Sequence, residues 1–189
     1  MTPLYIFDLD GTIALIDHRR HLLDRCQKCG GDGVMQSPDQ VIPTNAPSSA
    51  VEWADCDVCD GGKKFKPDWR AFFAACTDDL PNNPVIDTMT ALVNAGADVW
   101  IWSGRSAEVM EQTKAWLQDN LSGYSEDCEL CMRLEGDFTP DEELKAAWLD
   151  GLSAYDRRRL VAVFDDRDKV VAMWRSKGVA CFQVAPGGF

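Results

Sequence analysis

Apolar and polar positions along the chain fall into short alternating blocks. Leu4-Tyr5-Ile6-Phe7 and Leu9 form an apolar run that Asp8 and Asp10 interrupt and Gly11 closes, which predicts a strand over 4–9 ending in a sharp turn. Similar runs at 97–102, 129–134, 160–164 and 179–184 predict four more strands. Helical patterns lie between them: 68–76, opened by Asp68; 84–94, closed by Gly96; 106–120, capped by Ser106; and 169–177, stopped by Gly178. Thr139-Pro140-Asp141-Glu142 predicts another helix, with Thr139 as cap, Pro140 at the first position and acids in the first turn. Strand and helix alternate from residue 84 onward. The expected fold is therefore α/β, a Rossmann-like parallel sheet of about five strands flanked by helices. Trp100 and Trp102 alternate with Ile101, so both faces of that strand are apolar and the tryptophans read as core rather than as platforms for bases.

Residues 17–66 break this rhythm. They hold two Cys-x-x-Cys pairs, many glycines and a Pro- and Ser-containing stretch at 37–49, with no regular element predicted. A loop of that length inside a domain needs another organiser. The expected organisation is thus a core made of 1–16 and 67–189, with 17–66 inserted after the first strand as a small cap. Cys26 and Cys29 form one knuckle and Cys56 and Cys59 the other, twenty-six residues apart, each followed by glycine. Four thiolates suit a tetrahedral structural Zn²⁺, whose binding would organise a segment without its own core; redox dithiols and unrelated thiols are the alternatives. The first knuckle resembles the Cys-x-x-Cys-x-Gly-x-Gly repeat of the DnaJ cysteine-rich zinc module. His18 and His21 are either substitute ligands or surface residues. Cys128 and Cys131 repeat the spacing at the start of a predicted strand and read as packing residues, as do Cys76 and Cys181.

Composition narrows the function classes. The 189 residues suit one α/β domain with an insertion, and 46% hydrophobic residues can fill a core. A formal charge of −12 argues against an extended electrostatic grip on nucleic acid. Arg19-Arg20, Lys63-Lys64 with Lys66, and Arg157-Arg158-Arg159 remain as local basic clusters. The opening apolar run is too short for a signal peptide, and no stretch approaches the roughly 20 residues of a membrane span. The expectation is a cytoplasmic protein with no membrane contact, whose eight cysteines are thiols or metal ligands. No stable protein partner can be inferred.

The chemistry gathers at predicted strand ends, where open parallel sheets place ligands. Asp8 and Asp10 end the first strand, Ser103 and Arg105 follow the second, and Asp165 and Asp166 end the fourth. Lys145 lies four residues after Asp141 on one helix face, so the two are expected to support one another. Together these residues provide a nucleophile, an acid/base, phosphate donors, a cation and carboxylates for a metal.

In this order, Asp8-Leu9-Asp10-Gly11-Thr12, Ser103, Lys145 and Asp165-Asp166 resemble the haloacid dehalogenase superfamily of phosphohydrolases. More specifically, Trp102-Ser103-Gly104-Arg105, Met132-Arg133 with Asp137, Pro140-Asp141 to Lys145, and Phe164-Asp165-Asp166-Arg167 through Trp174-Arg175 to Gln183-Val184-Ala185 resemble the 3′-phosphatase domain of bacteriophage polynucleotide kinase. Arg19 falls where that family places a functional arginine, though it could equally be a solvated neighbour of Arg20. No Gly-x-x-x-x-Gly-Lys-[Ser/Thr] phosphate loop occurs, and the Cys-rich insertion is a departure from the family. The resemblance implies a Mg²⁺-dependent phosphomonoesterase with Asp8 as nucleophile and Asp10 as acid/base. Mg²⁺ would be held by Asp8, the Asp10 carbonyl and Asp165, with Asp166 assisting. Ser103, Lys145 and the backbone around Gly11 and Thr12 would cradle the phosphoryl group. Gly104, Arg105 and Arg19 would add substrate contacts, and Asp141 would orient Lys145. The implied substrate is a phosphorylated nucleic-acid end, most specifically a 3′-phosphate; a free nucleotide or small phosphorylated metabolite is an alternative, and a non-catalytic zinc-containing binding protein is another.

Overall fold

The computed structural model describes residues 1–24, 28–29, 34–37, 52–59, 61, 67–121 and 129–187. Cys26, Lys63, Lys64, Lys66 and Cys128 lie outside them. The chain divides into two units, Met1–Ile16 with Phe73–Phe189, and Asp17–Phe72.

In the larger unit, β1 (Leu4–Phe7) is the middle strand of a five-stranded sheet. β6 (Asp98–Ser106) and then β7 (Leu130–Arg133) lie on one side of it, and β8 (Leu160–Arg167) and then β9 (Cys181–Gly187) on the other, all parallel. The chain builds outward from β1 in one direction and returns to build in the other, so the carboxyl end of β1 lies at a switch of winding direction. Strand alternation sends neighbouring residues into separate cores. Phe7 and Ile101 join Val85, Ile86, Met89, Trp116 and Leu117 on one face, supplied by α3 (Asn83–Asn94) and α4 (Met110–Asn120). Ile6 and Trp102 join Leu149, Val170, Val171 and Trp174 on the other, supplied by α5 (Asp141–Asp150) and α7 (Asp168–Ser176). Trp102 is core as expected, and Trp100 is half-buried against the same cluster. Trp102 packs against Trp100, Trp148 and Trp174 with centroid distances of 6.5, 5.7 and 5.9 Å, and the Trp174 indole N–H points at Asp165 Oδ2, 3.5 Å away.

Several boundaries move from their expected places. The first strand ends at Phe7 rather than residue 9, because Leu9 O accepts from Thr12, Ile13 and Ala14 in the turn. Residue 14 then begins β2 (Ala14–Leu15), which pairs antiparallel with β5 (Leu80–Pro81). α5 starts one residue late. Its cap position is Pro140, while the Thr139 N–H donates to Asp137 Oδ1 at 2.8 Å instead of Thr139 capping the helix. The short α6 (Ala154–Arg159) has no apolar face to announce it; Ser153 caps it by accepting from Asp156 N, and Arg159 reaches Asp98, Asp156 and the faces of Trp100 and Tyr155.

The smaller unit is not devoid of regular structure. It contains α1 (Asp17–Asp24), a short antiparallel pair of β3 (Val34–Gln36) and β4 (Trp53–Asp55), and most of α2 (Trp69–Ala74). Asp68 caps α2 by accepting from Ala71 N at 3.0 Å. Cys56 and Cys59 are buried and pack with Cys29 and Met35.

Candidate active site

The center of the site is a buried ammonium between carboxylates. Lys145 projects from α5 to the sheet edge and donates to Asp8 Oδ1 at 2.5 Å and to Asp165 Oδ2 at 2.8 Å. Oxygen atoms of Asp8, Asp165 and Asp166 all lie within 4.8 Å of one another. β1 delivers Asp8 just past its last residue, and β8, its direct neighbour, delivers Asp165 and Asp166. Burial pushes the Asp8 carboxyl well above its usual range; Lys145 works against this, while Asp165 and Asp166 add to it. The Asp166 carboxyl is pushed up to about 7, first by burial and then by Asp165. Burial also opposes the Lys145 ammonium, but Asp165 and Asp8 outweigh it and hold the lysine charged.

This cluster holds more negative charge than one lysine balances. Asp166 Oδ1 is buried with no hydrogen-bond partner among the described residues, as is Thr12 Oγ1. Close, hard oxygen donors with an unsatisfied member fit a small divalent cation such as Mg²⁺. The turn after β1 closes tightly over them. Gly11 adopts φ +86°, and a Cβ there would stand 2.2 Å from Asp166 Oδ2, so only glycine fits both the backbone and the space.

The rest of the expected residues divide into two groups. Ser103 is fully buried at the edge, and its Oγ accepts from Arg105 N at 3.1 Å. Gly104 presents its carbonyl to Arg133 Nε at 2.8 Å, and its missing side chain leaves room for Asp141, whose Oδ1 would lie 2.5 Å from a Cβ. Arg105, expected to bind phosphate, has its fork turned inward. It pairs with Asp10, with Asp79 Oδ2 at 2.8 Å and with Thr113 Oγ1 at 3.2 Å. Burial opposes its charge, yet Asp10 outweighs that and raises its already high pKa further. Asp141 was expected to support Lys145; its carboxylate instead bonds Arg133 and Arg167, and its influence on Lys145 acts only through charge. Arg19 belongs to the smaller unit, where it is buried, donates to Phe72 O at 3.2 Å and lies 4.1 Å over the Phe72 ring.

Asp79 and Thr113 join the site without any signal in the sequence, and Arg133, which entered only as part of the resemblance, gains a definite place by bonding Gly104 O and Asp141. Asp79 grips Arg105 through its side chain while its carbonyl accepts from Trp116 Nε1 at 2.8 Å. Asp78-Asp79 reads in sequence as an ordinary acidic loop; only its arginine partner, 26 residues away, marks it. In the smaller unit, the sulfurs of Cys29, Cys56 and Cys59 lie within 4.8 Å of one another, with Cys29 and Cys59 3.6 Å apart. By contrast, burial pushes the Cys131 and Cys181 thiols up to about 11 and 12, with Glu129 and Asp165 respectively adding to it, which suits packing rather than ligation.

A doubly wound sheet whose central strand ends in an aspartate pair, faced by a lysine from a later helix and a further acidic pair, defines a phosphatase domain of the haloacid dehalogenase type. Residues 60–189 match the family model described as the polynucleotide kinase PNKP phosphatase domain, and the chain belongs to that family. Similar solved structures include a chain of the Pnkp1/Rnl/Hen1 RNA repair complex, with 24% identity, a TM-score of 0.62 and coverage of 100% of this chain and 44% of that one. A chain of a second Pnkp1/Rnl/Hen1 structure gives 24%, 0.60, 100% and 48%. CbbY from Rhodobacter sphaeroides in complex with phosphate gives 15%, 0.53, 100% and 88%. These similarities show a shared fold. The chain spans about half the length of the two repair-complex chains. Among the described residues, no helix is long and apolar enough to cross a membrane.

Proposed function

We propose that the chain is a Mg²⁺-dependent phosphomonoesterase that removes 3′-phosphates from polynucleotide ends through an aspartyl-phosphate on Asp8. The observation that carries this reading is the bridge from Lys145 to both Asp8 and Asp165 beside Asp166. It places a cation where two carboxylates would otherwise repel a phosphate dianion. The polynucleotide end is supported by the family match and by similarity to a chain from an RNA repair complex.

Asp8 attacks phosphorus in line and the terminal hydroxyl oxygen leaves, giving an acyl phosphate; water then attacks that phosphorus and frees Asp8, so one hard displacement becomes two easier ones. Asp10 protonates the leaving oxygen and later takes the proton from the water. Arg105, anchored by Asp79, fixes the Asp10 carboxylate for both transfers. Lys145, Ser103 and the backbone at Gly11 and Thr12 stabilise the phosphoryl oxygens. Asp8, the Asp10 carbonyl, Asp165 and Asp166 would hold Mg²⁺, which when bound supplies charge neutralisation at the phosphoryl group. Gly104, without a side chain, leaves room for Asp141, Asp141 ties Arg133 and Arg167 together at the rim, and Arg19 is a candidate substrate contact from the smaller unit. Cys29, Cys56 and Cys59, with Cys26, would hold a structural Zn²⁺ that cross-links the 17–66 insertion, which acts as a cap that selects leaving groups.

The decisive experiment is turnover on 3′-phosphorylated oligonucleotides, 5′-phosphorylated oligonucleotides, mononucleotides and an aryl phosphate, with Mg²⁺, for the wild type and Asp8→Asn. The 3′-phosphorylated oligonucleotides should be the best substrates, and Asp8→Asn should abolish all turnover. Undiminished hydrolysis by Asp8→Asn would refute the mechanism, and preference for mononucleotides would refute the substrate.

A further inference from the structure

The loop between β7 and α5 displays an aromatic ring that the phosphoryl chemistry does not use. Phe138 is 84% exposed and Leu134 73%. The backbone on either side of Phe138 is nevertheless fixed. The buried Arg133 donates through Nη1 to the carbonyls of Asp137 at 3.3 Å and Thr139 at 2.5 Å. Asp137 Oδ1 accepts from Thr139 N at 2.8 Å, Asp137 N donates to Leu134 O at 3.1 Å, and Gly136 takes a positive φ of 78° to allow the turn. A mobile loop carrying a solvated phenylalanine would need none of these ties.

The clamp also fixes the loop to the catalytic edge. The same Arg133 guanidinium bonds Gly104 O, next to Ser103, and Asp141, the first residue of the helix whose Lys145 reaches Asp8. Asp141 in turn bonds Arg167, which directly follows Asp165-Asp166. The loop backbone that carries the ring is therefore tied to the strand ends of the phosphoryl cradle by one continuous set of hydrogen bonds within a single unit. Glu135 and Asp137 precede it in the loop, and Arg133 and Arg167 are engaged with Asp141, so the loop adds no free cation for phosphates. What it offers is a flat apolar face, pre-ordered so that little entropy is lost on contact.

We infer that Phe138 stacks on the nucleobase of the nucleotide whose phosphate is removed, with Leu134 lining the same platform. The inference rests on the 3′-phosphatase reading and adds to it how the leaving nucleoside is gripped by a net-acidic protein. Stacking tolerates any base, so it predicts affinity for a terminal nucleotide without sequence preference.

The test measures kcat and KM with Mg²⁺ for the wild type, Phe138→Ala and Phe138→Tyr. The substrates are a 3′-phosphorylated oligonucleotide, the same oligonucleotide with an abasic terminal nucleotide, and glycerol phosphate. Phe138→Ala should raise KM for the base-bearing substrate relative to the other two by about 5- to 150-fold, the range of one base–aromatic stack. Phe138→Tyr should restore it. Equal KM ratios in wild type and Phe138→Ala would overturn the inference and leave the 3′-phosphatase reading intact. A uniform loss on all three substrates would overturn it in favour of a purely structural ring. Turnover of glycerol phosphate without turnover of the oligonucleotide by the wild type would remove the underlying reading and the inference with it.

Discussion

Replacing Lys145 with methionine keeps the volume and the apolar stem while deleting the ammonium that bridges Asp8 and Asp165. Removing one partner from a buried ion pair costs about 3–5 kcal/mol when the other stays charged. The size of the loss depends on whether the carboxylates stay charged. In the folded protein without metal, burial raises the Asp8 carboxyl well above its usual value and brings Asp166 to about 7, against about 4 in the unfolded chain. A carboxyl with a raised folded-state pKa stabilises the fold while protonated, and that contribution is lost as pH rises from the unfolded value through the folded one. Lys145→Met should therefore be mild at pH 5, where the crowded acids can hold protons, and severe at pH 8. At about 2–4 °C per kcal/mol for a chain of this length, a loss of about 3 kcal/mol lowers Tm by about 6–12 °C at pH 8. Thermal and urea unfolding in EDTA at both pH values measure this, and a parallel series with Mg²⁺ should recover part of the loss at pH 8. Turnover should fall by about 10²–10³, the cost of one oxyanion donor. An equal loss at both pH values, or a loss under about 1 kcal/mol at pH 8, would show that Lys145 does not compensate buried carboxylate charge.

Two further outcomes follow from close packing and from sulfur. Gly11→Ala forces a side chain into a left-handed backbone, costing about 1–2 kcal/mol, and drives Asp166 from its place; the Mg²⁺ concentration for half-maximal activity should rise about tenfold or more, and an unchanged Mg²⁺ dependence would refute the tight turn. Elemental analysis should find about one zinc per chain, and Cys56→Ser should remove it and lower the unfolding midpoint; freely reactive thiols in a folded, zinc-free sample would refute the site.

The sequence was most legible where chemistry demands fixed residue types at strand ends. Asp8, Lys145, Asp165 and Asp166 were all expected at one edge, and the structure brings them together because each sits at a strand end or on a helix that packs behind it. What could not be read was how the arginines are used. Arg105 follows Ser103-Gly104 like a phosphate donor, yet its partners Asp10 and Asp79 are 95 and 26 residues away, and no local pattern encodes such a pairing. Asp141 and Lys145 are four apart on a helix, which predicts mutual support; tertiary partners win because Arg133 and Arg167 meet Asp141 at the rim while two buried acids claim the ammonium. The helix 154–159 was missed because Arg159 hides in it as a buried cation rather than as an apolar residue.

The tryptophan cluster beneath the sheet has a spectroscopic consequence. Trp174 is fully buried, and its indole N–H faces Asp165, so the electric field it feels depends on whether that carboxylate is facing a lysine alone or also a bound cation. Trp102 lies 5.9 Å from it and within similar reach of Trp100 and Trp148, close enough for excitation to migrate between the rings. The molecule thus carries a label-free optical gauge of its own catalytic edge, wired to a single carboxylate.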